Sequence, residues 1–480
     1  MRKIVDEMFP FRDGQTVTGP SFLKLDPARS LPDIFPLFLE LPYPVLLDRM
    51  LTSPNGARFS YLTADPFLVV RSKGRGVEIE SRDGTERRES SPFDVLQELL
   101  GRFALSPVPG LPPFQGGAIG YFAYELGHHL ERLPSTTKDD LGLPEMNIGF
   151  YDWVIAQDHS TGDTWAIASG LPDGSRENAE ERLESVREIL SKRSPHRRTS
   201  DLSSPPTKLV SNFSPEAYLR AVDAVKDYIV QGDVYQVNVS QRFEGPLGCE
   251  PWELYLRLRQ VNPAPFAAFL HYPEVTVLSA SPEEYLRLED HAIETRPMKG
   301  TRPRGRTPSE DRRMAAELLA SEKDRAENVM IVDLMRSDLG RVCTPGSIHV
   351  PQLFKVETYP TVFQMVSTIR GQTRSDVDAV DVLKACFPGG SVTGAPKIRA
   401  MEIIDELEPT QRSVYCGAIG YIGFDGSMLT SIPIRILLAK DERVYFQVGG
   451  GIVADSDPSA EYQETLDKAK GSLRALGIYG

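Results

Sequence analysis

The chain has 480 residues, 40% of them hydrophobic and 25% charged, with a formal net charge of −13. That length accommodates two or three domains, or one large two-lobed body. The acidic balance, without a compensating basic block, argues against nucleic-acid or anionic-membrane partners and leaves room for a small anionic substrate held by a local cluster of donors.

The N-terminus "MRKIVDEMFPFRDG" has no apolar stretch of signal-peptide type, and no run approaches membrane-spanning length. Cys249, Cys343, Cys386 and Cys416 show neither CxxC pairing nor regular spacing. This pattern fits reduced thiols of a cytoplasmic protein. In the first part, "GGAIGYFAYELG" (116–127) shares GAIGY with "CGAIGYIGFDG" (416–426), a match too short to establish a repeat. Neither segment has dinucleotide-fingerprint spacing. "RENAEERLESVREILSKR" reads as a charged helix, acidic at its start and basic at its end. The Ser-, Pro- and Arg-rich stretch 193–207 reads as a linker or exposed loop. It divides an N-terminal domain, 1–192, from a C-terminal domain, 208–480.

Beyond the linker, "SPEAYLRAVDAVKDYIVQG" reads as a helix. "TVLSASPEEYLRLED" and "HAIETRP" read as strands and hairpins. "SEDRRMAAELLASEKDRAENVMIVDLMRSDLG" reads as a helix, "MLTSIPIRILLAK" and "RVYFQVGGGIVAD" as strands, and "DPSAEYQETLDKAKGSLRAL" as the last helix. Strand and helix do not alternate regularly, so the predicted class is α+β with large, mainly antiparallel sheets.

Two of these helices carry acids at i, i+3: Asp324 with Glu327, and Glu461 with Glu464, the latter followed by Lys468. Asp457 or Ser459 serves as cap for the second. Facing one cavity, two such pairs offer an all-oxygen ligand set that suits Mg²⁺ rather than Zn²⁺. "FPGGSVTGAPKIRAME" runs from a Gly-rich turn into a helix whose first amides can hold a carboxylate. Gly449, Gly450 and Gly451 follow a strand and leave backbone open to a ligand. In "RPMKGTRPRG", Lys299 lies among Arg296, Arg302 and Arg304, whose field lowers its pKa toward the neutral amine.

Seven stretches, in order, carry a resemblance: "GDVYQVNVSQRF", "SASPEEYL", "RPMKGTRPRG", "KDRAENVMIVDLMRSDLGRVC", "FPGGSVTGAPKIRAMEIIDELEP", "YCGAIGYIGFDG" and "GGGIVADSDPSAEYQETLDKA". Together they resemble the chorismate-utilising enzymes: the large components of anthranilate and aminodeoxychorismate synthases, and the isochorismate and salicylate synthases. "RFSYLTADP" and "GGAIGYFAYELG" look like the same family's more variable N-terminal domain. The implied fold is that of anthranilate synthase component I, a β-sandwich core of large antiparallel sheets with helices outside.

Within the family, Lys299 stands where anthranilate synthases carry alanine and is the pattern of aminodeoxychorismate synthases. The resemblance makes it the nucleophile at C2 of chorismate, with partial burial in the substrate pocket joining the flanking charges to favour the neutral amine, and makes Glu283 the acid that protonates the departing C4 hydroxyl. Gln236 stands where isochorismate and salicylate synthases carry a water-activating lysine, and Gln364 where histidine is common. Glu327 and Glu464 match Mg²⁺ ligands, with Asp324 and Glu461 acting through metal-bound water. The family more often has Glu at the Asp324 position. Tyr415 and Arg435 match substrate-carboxylate contacts, and Gly300, Thr301, Ser391 and Gly449 to Gly451 the remaining ones, with Gln236 and Lys468 beside them.

"VLLDRM" and "NPAPF" match the family's tryptophan pocket, with Arg49 in place of the usual small serine. No Gly-x-Cys-x-Gly glutaminase turn occurs, so ammonia is expected from solution or from a separate glutamine amidotransferase subunit. The expected activity is conversion of chorismate and ammonia to 4-amino-4-deoxychorismate on the folate branch. Anthranilate synthase component I and a catalytically silent scaffold for the amidotransferase are the alternatives.

Overall fold

The computed structural model describes residues 19–26, 29–50, 58–192, 209–359 and 362–478. Among these residues the strands form two 12-stranded sheets, and every ladder between named strands is antiparallel. In the first sheet the central pair is Val45–Asp48 with Phe266–His271. Outward from Val45–Asp48 lie Phe59–Thr63, Trp153–Asp158, Thr164–Ala168 and Ser21–Leu25. Outward from Phe266–His271 lie Thr276–Ser281, Ile436–Lys440, Arg443–Ile452 and Gln236–Pro246, then the short Val210–Ser211.

The second sheet has Gly117–Phe122 and Ala418–Gly423 at its centre. Met146–Tyr151, Leu68–Lys73, Gly76–Ser81 and Gly84–Glu89 follow on one side. Met428–Ser431, Glu284–Glu289, Ala292–Thr295, Val362–Gln372 and the edge strand Met298–Pro303 follow on the other.

Read outward from each centre, the two halves of the chain place their strands in matching order. The shared GAIGY therefore marks a structural repeat. The two copies pair with Gly120 opposite Gly420. A Cβ on Gly120 would stand 2.0 Å from the Asn147 carbonyl, and one on Gly420 2.0 Å from that of Leu429. Each half needs glycine there for the same reason, the close approach of its next strand. The expected linker lies outside the described residues. Strands from either side of it pair at the centre of both sheets, so the two predicted domains share them.

Alternation along the first sheet fills two cores. Val45, Tyr61, Val154, Leu270 and Val277 face the second sheet, while Leu46, Leu62, Ile155, Phe269 and Leu278 face outer helices. Val186, Tyr255 and Ala469 supply that outer layer from helices Arg176–Ser191, Pro251–Val261 and Pro458–Ala475. The predicted α+β sandwich is thus present, with helices outside.

Local signals set the helix ends. Pro215–Gln231 starts at Ser214, whose hydroxyl accepts the Ala217 N–H, and stops at Gly232 with φ +84°. Pro458–Ala475 is capped by Asp457. The long predicted helix 309–340 is two, Pro308–Ala320 and Glu322–Gly340. Ser321 breaks it by capping the second with a hydrogen bond from the Asp324 N–H.

Candidate active site

The chain changes sheets at Ser281–Glu284 and again between Ser431 and Ile436. Glu283 sits in the first crossing and Arg435 in the second. The crossings are tied together: the Ile432 N–H donates to the Glu283 carbonyl at 3.1 Å, and the Ala280 N–H to that of Arg435 at 3.1 Å.

Glu283 is 3% exposed. Burial raises its carboxyl to about 7, opposed by the Ser391 hydroxyl, by Lys299 and by the Met298 N–H. Ser391, in the turn Gly390–Val392, donates its hydroxyl to Glu283 Oε1 at 2.6 Å. The Ser391 carbonyl accepts from Lys299 Nζ at 3.3 Å. One residue thus joins the candidate acid, in the first crossing, to the candidate nucleophile, on the edge strand Met298–Pro303.

Desolvation lowers the Lys299 pKa, while Glu327, Glu283 and Glu464 oppose and Lys468 assists. The flanking arginines are not the cause. Arg296 pairs with Glu357 at 2.5 Å, Arg302 with Asp324 at 2.8 Å and Arg304 with Asp311 at 2.6 Å. Each is neutralised by an acid brought in by the fold.

Next to Lys299, the ladder shifts register at Gly300, which has φ +81°. A Cβ there would meet the Asp324 side chain at 2.9 Å. The strand bulge therefore sets the lysine against the start of helix Glu322–Gly340. Thr301 is exposed, opposite Gln364 in the ladder. Gln364 is buried and, among the described residues, its Oε1 accepts no hydrogen bond.

The two acidic pairs come within electrostatic range of each other and of Lys299. Burial raises Glu327, and Asp324 and Glu461 raise it further. Burial also raises Glu461, whose Oε1 accepts from the Ser456 hydroxyl at 2.6 Å. Glu464 resists burial through Lys468, at 2.7 Å, and is held below its usual value. A Cβ on Gly450 would lie 3.2 Å from Glu461 Oε2 and 3.7 Å from Glu464 Oε1, so both carboxylates flank one stretch of bare backbone. Lys468 Nζ also donates to the Gly449 carbonyl at 2.8 Å. As placed, no three His, Cys, Asp or Glu side chains among the described residues form a metal-ligand group. Asp324 is turned to Arg302 and Glu464 to Lys468.

Gln236 lies under Gly451, where a Cβ would stand 2.0 Å from its Nε2. Its Oε1 is buried without a partner among the described residues, as is Asn238 Oδ1 on the same strand face. Tyr415 is buried, and the N–H of its neighbour Cys416 donates to Pro433 in the second crossing. Burial pulls the Arg435 guanidinium below its usual value, with Tyr359 the group acting against it. That leaves Arg435 suited to a carboxylate ligand.

A supporting network escaped the sequence reading. Arg412, in a loop, donates to the Val392 carbonyl at 2.8 Å, the Asn238 carbonyl at 2.7 Å and Glu408 Oε1 at 2.7 Å. Glu408 in turn accepts the Ser240 N–H at 2.8 Å. Only the Glu408–Arg412 spacing of four residues is local, and the remaining partners come from distant segments. "VLLDRM" and "NPAPF" do meet: Leu47, Asp48, Pro265 and Phe266 line a cavity of about 40 Å³ with Tyr61 and Tyr421. The Arg49 N–H beside it donates to the Ser60 hydroxyl at 2.8 Å.

The four cysteines are free, and no helix among the described residues is long and apolar enough to cross a membrane. The chain is 42% identical over 437 residues to aminodeoxychorismate synthase component 1 of Escherichia coli, covering 91% of this chain and 94% of the relative. It is 40% identical to anthranilate synthase component 1 of Acetivibrio thermocellus, covering 92% of each. The crystal structure of anthranilate synthase component I from Streptococcus pneumoniae superposes with a TM-score of 0.79 at 33% identity, over 86% of this chain and 92% of that one. Residues 57–474 match the model of the chorismate binding enzymes, and the chain belongs to that family.

Proposed function

We propose that this protein converts chorismate and ammonia to 4-amino-4-deoxychorismate and water, as the large component of an aminodeoxychorismate synthase. The observation that carries this is the Lys299–Ser391–Glu283 arrangement: a desolvated amine and a buried acid held by one residue. The similarity to relatives named aminodeoxychorismate synthase component 1 agrees with it. The lysine separates this reading from the anthranilate synthase one.

In the reaction, the neutral Lys299 amine adds at C2 as the ring double bonds shift toward C4. The C4–O bond breaks, and the hydroxyl takes the Glu283 proton and leaves as water. Ammonia then adds at C4, the double bonds shift back, and the C2–N electron pair returns to Lys299. The proton lost from the new ammonium restores Glu283. Arg435, Tyr415 and the backbone of Gly449 to Gly451 hold the substrate carboxylates, and Gln236 packs beneath Gly451.

Glu327, Glu461, Glu464 and Asp324 fit a hard divalent ion. They are oxygen donors, and burial raises Glu327 and Glu461, with repulsion from the neighbouring carboxylates adding to it. Arg302 and Lys468 would release Asp324 and Glu464 on loading. Bound Mg²⁺ would neutralise and orient a substrate carboxylate. Ammonia comes from a separate glutamine amidotransferase subunit or from solution, and the protein acts in the cytoplasm.

The test is to incubate the purified chain with chorismate, Mg²⁺ and ammonium and identify the product by mass. A product that retains the enolpyruvyl group and carries nitrogen at C4 is expected. Anthranilate with pyruvate, or no turnover, refutes the proposal.

A further inference from the structure

The resemblance assigned Ser391 to the substrate, but the structure engages both its polar groups elsewhere. We propose that Ser391 is a positioning residue: its hydroxyl and carbonyl hold Glu283 and the Lys299 amine in fixed relation, and the hydroxyl stabilises the Glu283 carboxylate that forms when its proton departs. This rests on the reading of Glu283 as the proton donor.

Geometry carries the inference. A serine hydroxyl has one hydrogen, and here it is given to Glu283 Oε1 at 2.6 Å in a site where Ser391 is 7% exposed. The exchangeable proton of Glu283 therefore belongs on Oε2. The Ser391 carbonyl draws one N–H of Lys299 toward itself at 3.3 Å, which orients the amine.

The turn that carries Ser391 is clamped on three sides. A Cβ on Gly389 would lie 2.7 Å from Ile432, and one on Gly390 2.5 Å from Leu334 of helix Glu322–Gly340. Arg412, 2% exposed, donates to the Val392 carbonyl at 2.8 Å. Backbone packed this closely does not drift while the proton moves.

The energetic consequence follows from the charge change. An O–H bond to a carboxylate is stronger than the same bond to a neutral carboxyl. The contact therefore strengthens as Glu283 gives up its proton, which favours the transition state over the resting acid. The groups facing Glu283 are Lys299 and the Met298 N–H from the edge strand, Ser391 from the turn, and Cys416 from the segment before Ala418–Gly423. The Cys416 thiol is pushed up to about 12 by burial and stays neutral. Lys299 is thus the one other group among these that titrates near Glu283, and Ser391 remains the neutral donor that tunes it.

Infrared titration of the carboxyl stretch tests this directly, with Glu283→Gln assigning the band. In wild type the band should titrate near the value of about 7 set by burial. In Ser391→Ala its midpoint should rise by about one unit, because the lost bond had favoured the charged form. Turnover should fall about tenfold with KM within about twofold, and Ser391→Thr should restore midpoint and turnover together. An unmoved midpoint in Ser391→Ala, a loss confined to KM, or a folded Ser391→Thr that restores neither overturns the proposal. Full turnover by Glu283→Gln overturns it through its premise. The band midpoint distinguishes that case, since it reports on the Ser391 bond whether or not Glu283 is the acid.

Discussion

Gly300→Ala perturbs the site without removing a functional group. Gly300 has φ +81°, and an added Cβ would lie 2.9 Å from Cβ, Cγ and Oδ1 of Asp324. The backbone conformation alone costs an alanine about 1–2 kcal/mol. Relieving the contact requires Asp324 to turn away from Arg302, its partner at 2.8 Å. That partly exposed pair is worth about 0.5–1 kcal/mol. The sum is about 1.5–3 kcal/mol, and some of it will be relieved by moving the neighbouring Lys299. Gly232→Ala is the control: φ +84°, nothing within 4 Å of the new Cβ, and a helix C-terminus away from the acids. Both variants should unfold at lower denaturant concentration than wild type. Only Gly300→Ala should also lose turnover, by about 10²-fold, as a displacement near 1 Å does to a positioned nucleophile. Steady-state kinetics on both variants under saturating chorismate and ammonium is the assay. Turnover of Gly300→Ala within about twofold of Gly232→Ala would refute the reasoning.

Lys299→Ala should slow product formation by orders of magnitude and leave chorismate affinity within about tenfold, since the carboxylate contacts lie elsewhere. Lys299→Arg should not restore it, because the guanidinium stays protonated. Intact-protein mass spectrometry with chorismate and no ammonia should show an adduct in wild type alone. Glu327→Gln and Glu464→Gln should each raise the Mg²⁺ concentration needed for half-maximal activity by more than about tenfold, measured by metal titration after EDTA treatment. For Glu283 the sign is set by burial: a carboxyl raised from its ordinary value to about 7 favours folding below the unfolded pKa, and that contribution is lost as pH rises through 7. Glu283→Gln should therefore gain stability over wild type at pH 8, by about 3 kcal/mol, and much less at pH 5, while losing activity at both. Denaturant melts at the two pH values check this, and an equal gain at both would contradict it.

The sequence by itself determined what depends on neighbours along the chain. Ser214 and Gly232 bound their helix because capping and left-handed termination act within a turn. The acids at 324 and 327, and at 461 and 464, share helix faces because of helical geometry alone. The order of motifs was enough to place the chain in its family. Even there local reading overreached, missing the break at Ser321 and giving the flanking arginines a share, beside burial, in the Lys299 shift. Only the tertiary structure settled which of the two causes holds, because Glu357, Asp324 and Asp311 neutralise those arginines and leave burial as the main one. It also decided that GAIGY pairs with its own copy, and that Ser391 joins Glu283, 108 residues away in sequence, to Lys299, 92 residues away. Desolvation and charge at a point sum over every segment the fold packs there, whereas a cap or a helical period is complete within a few residues.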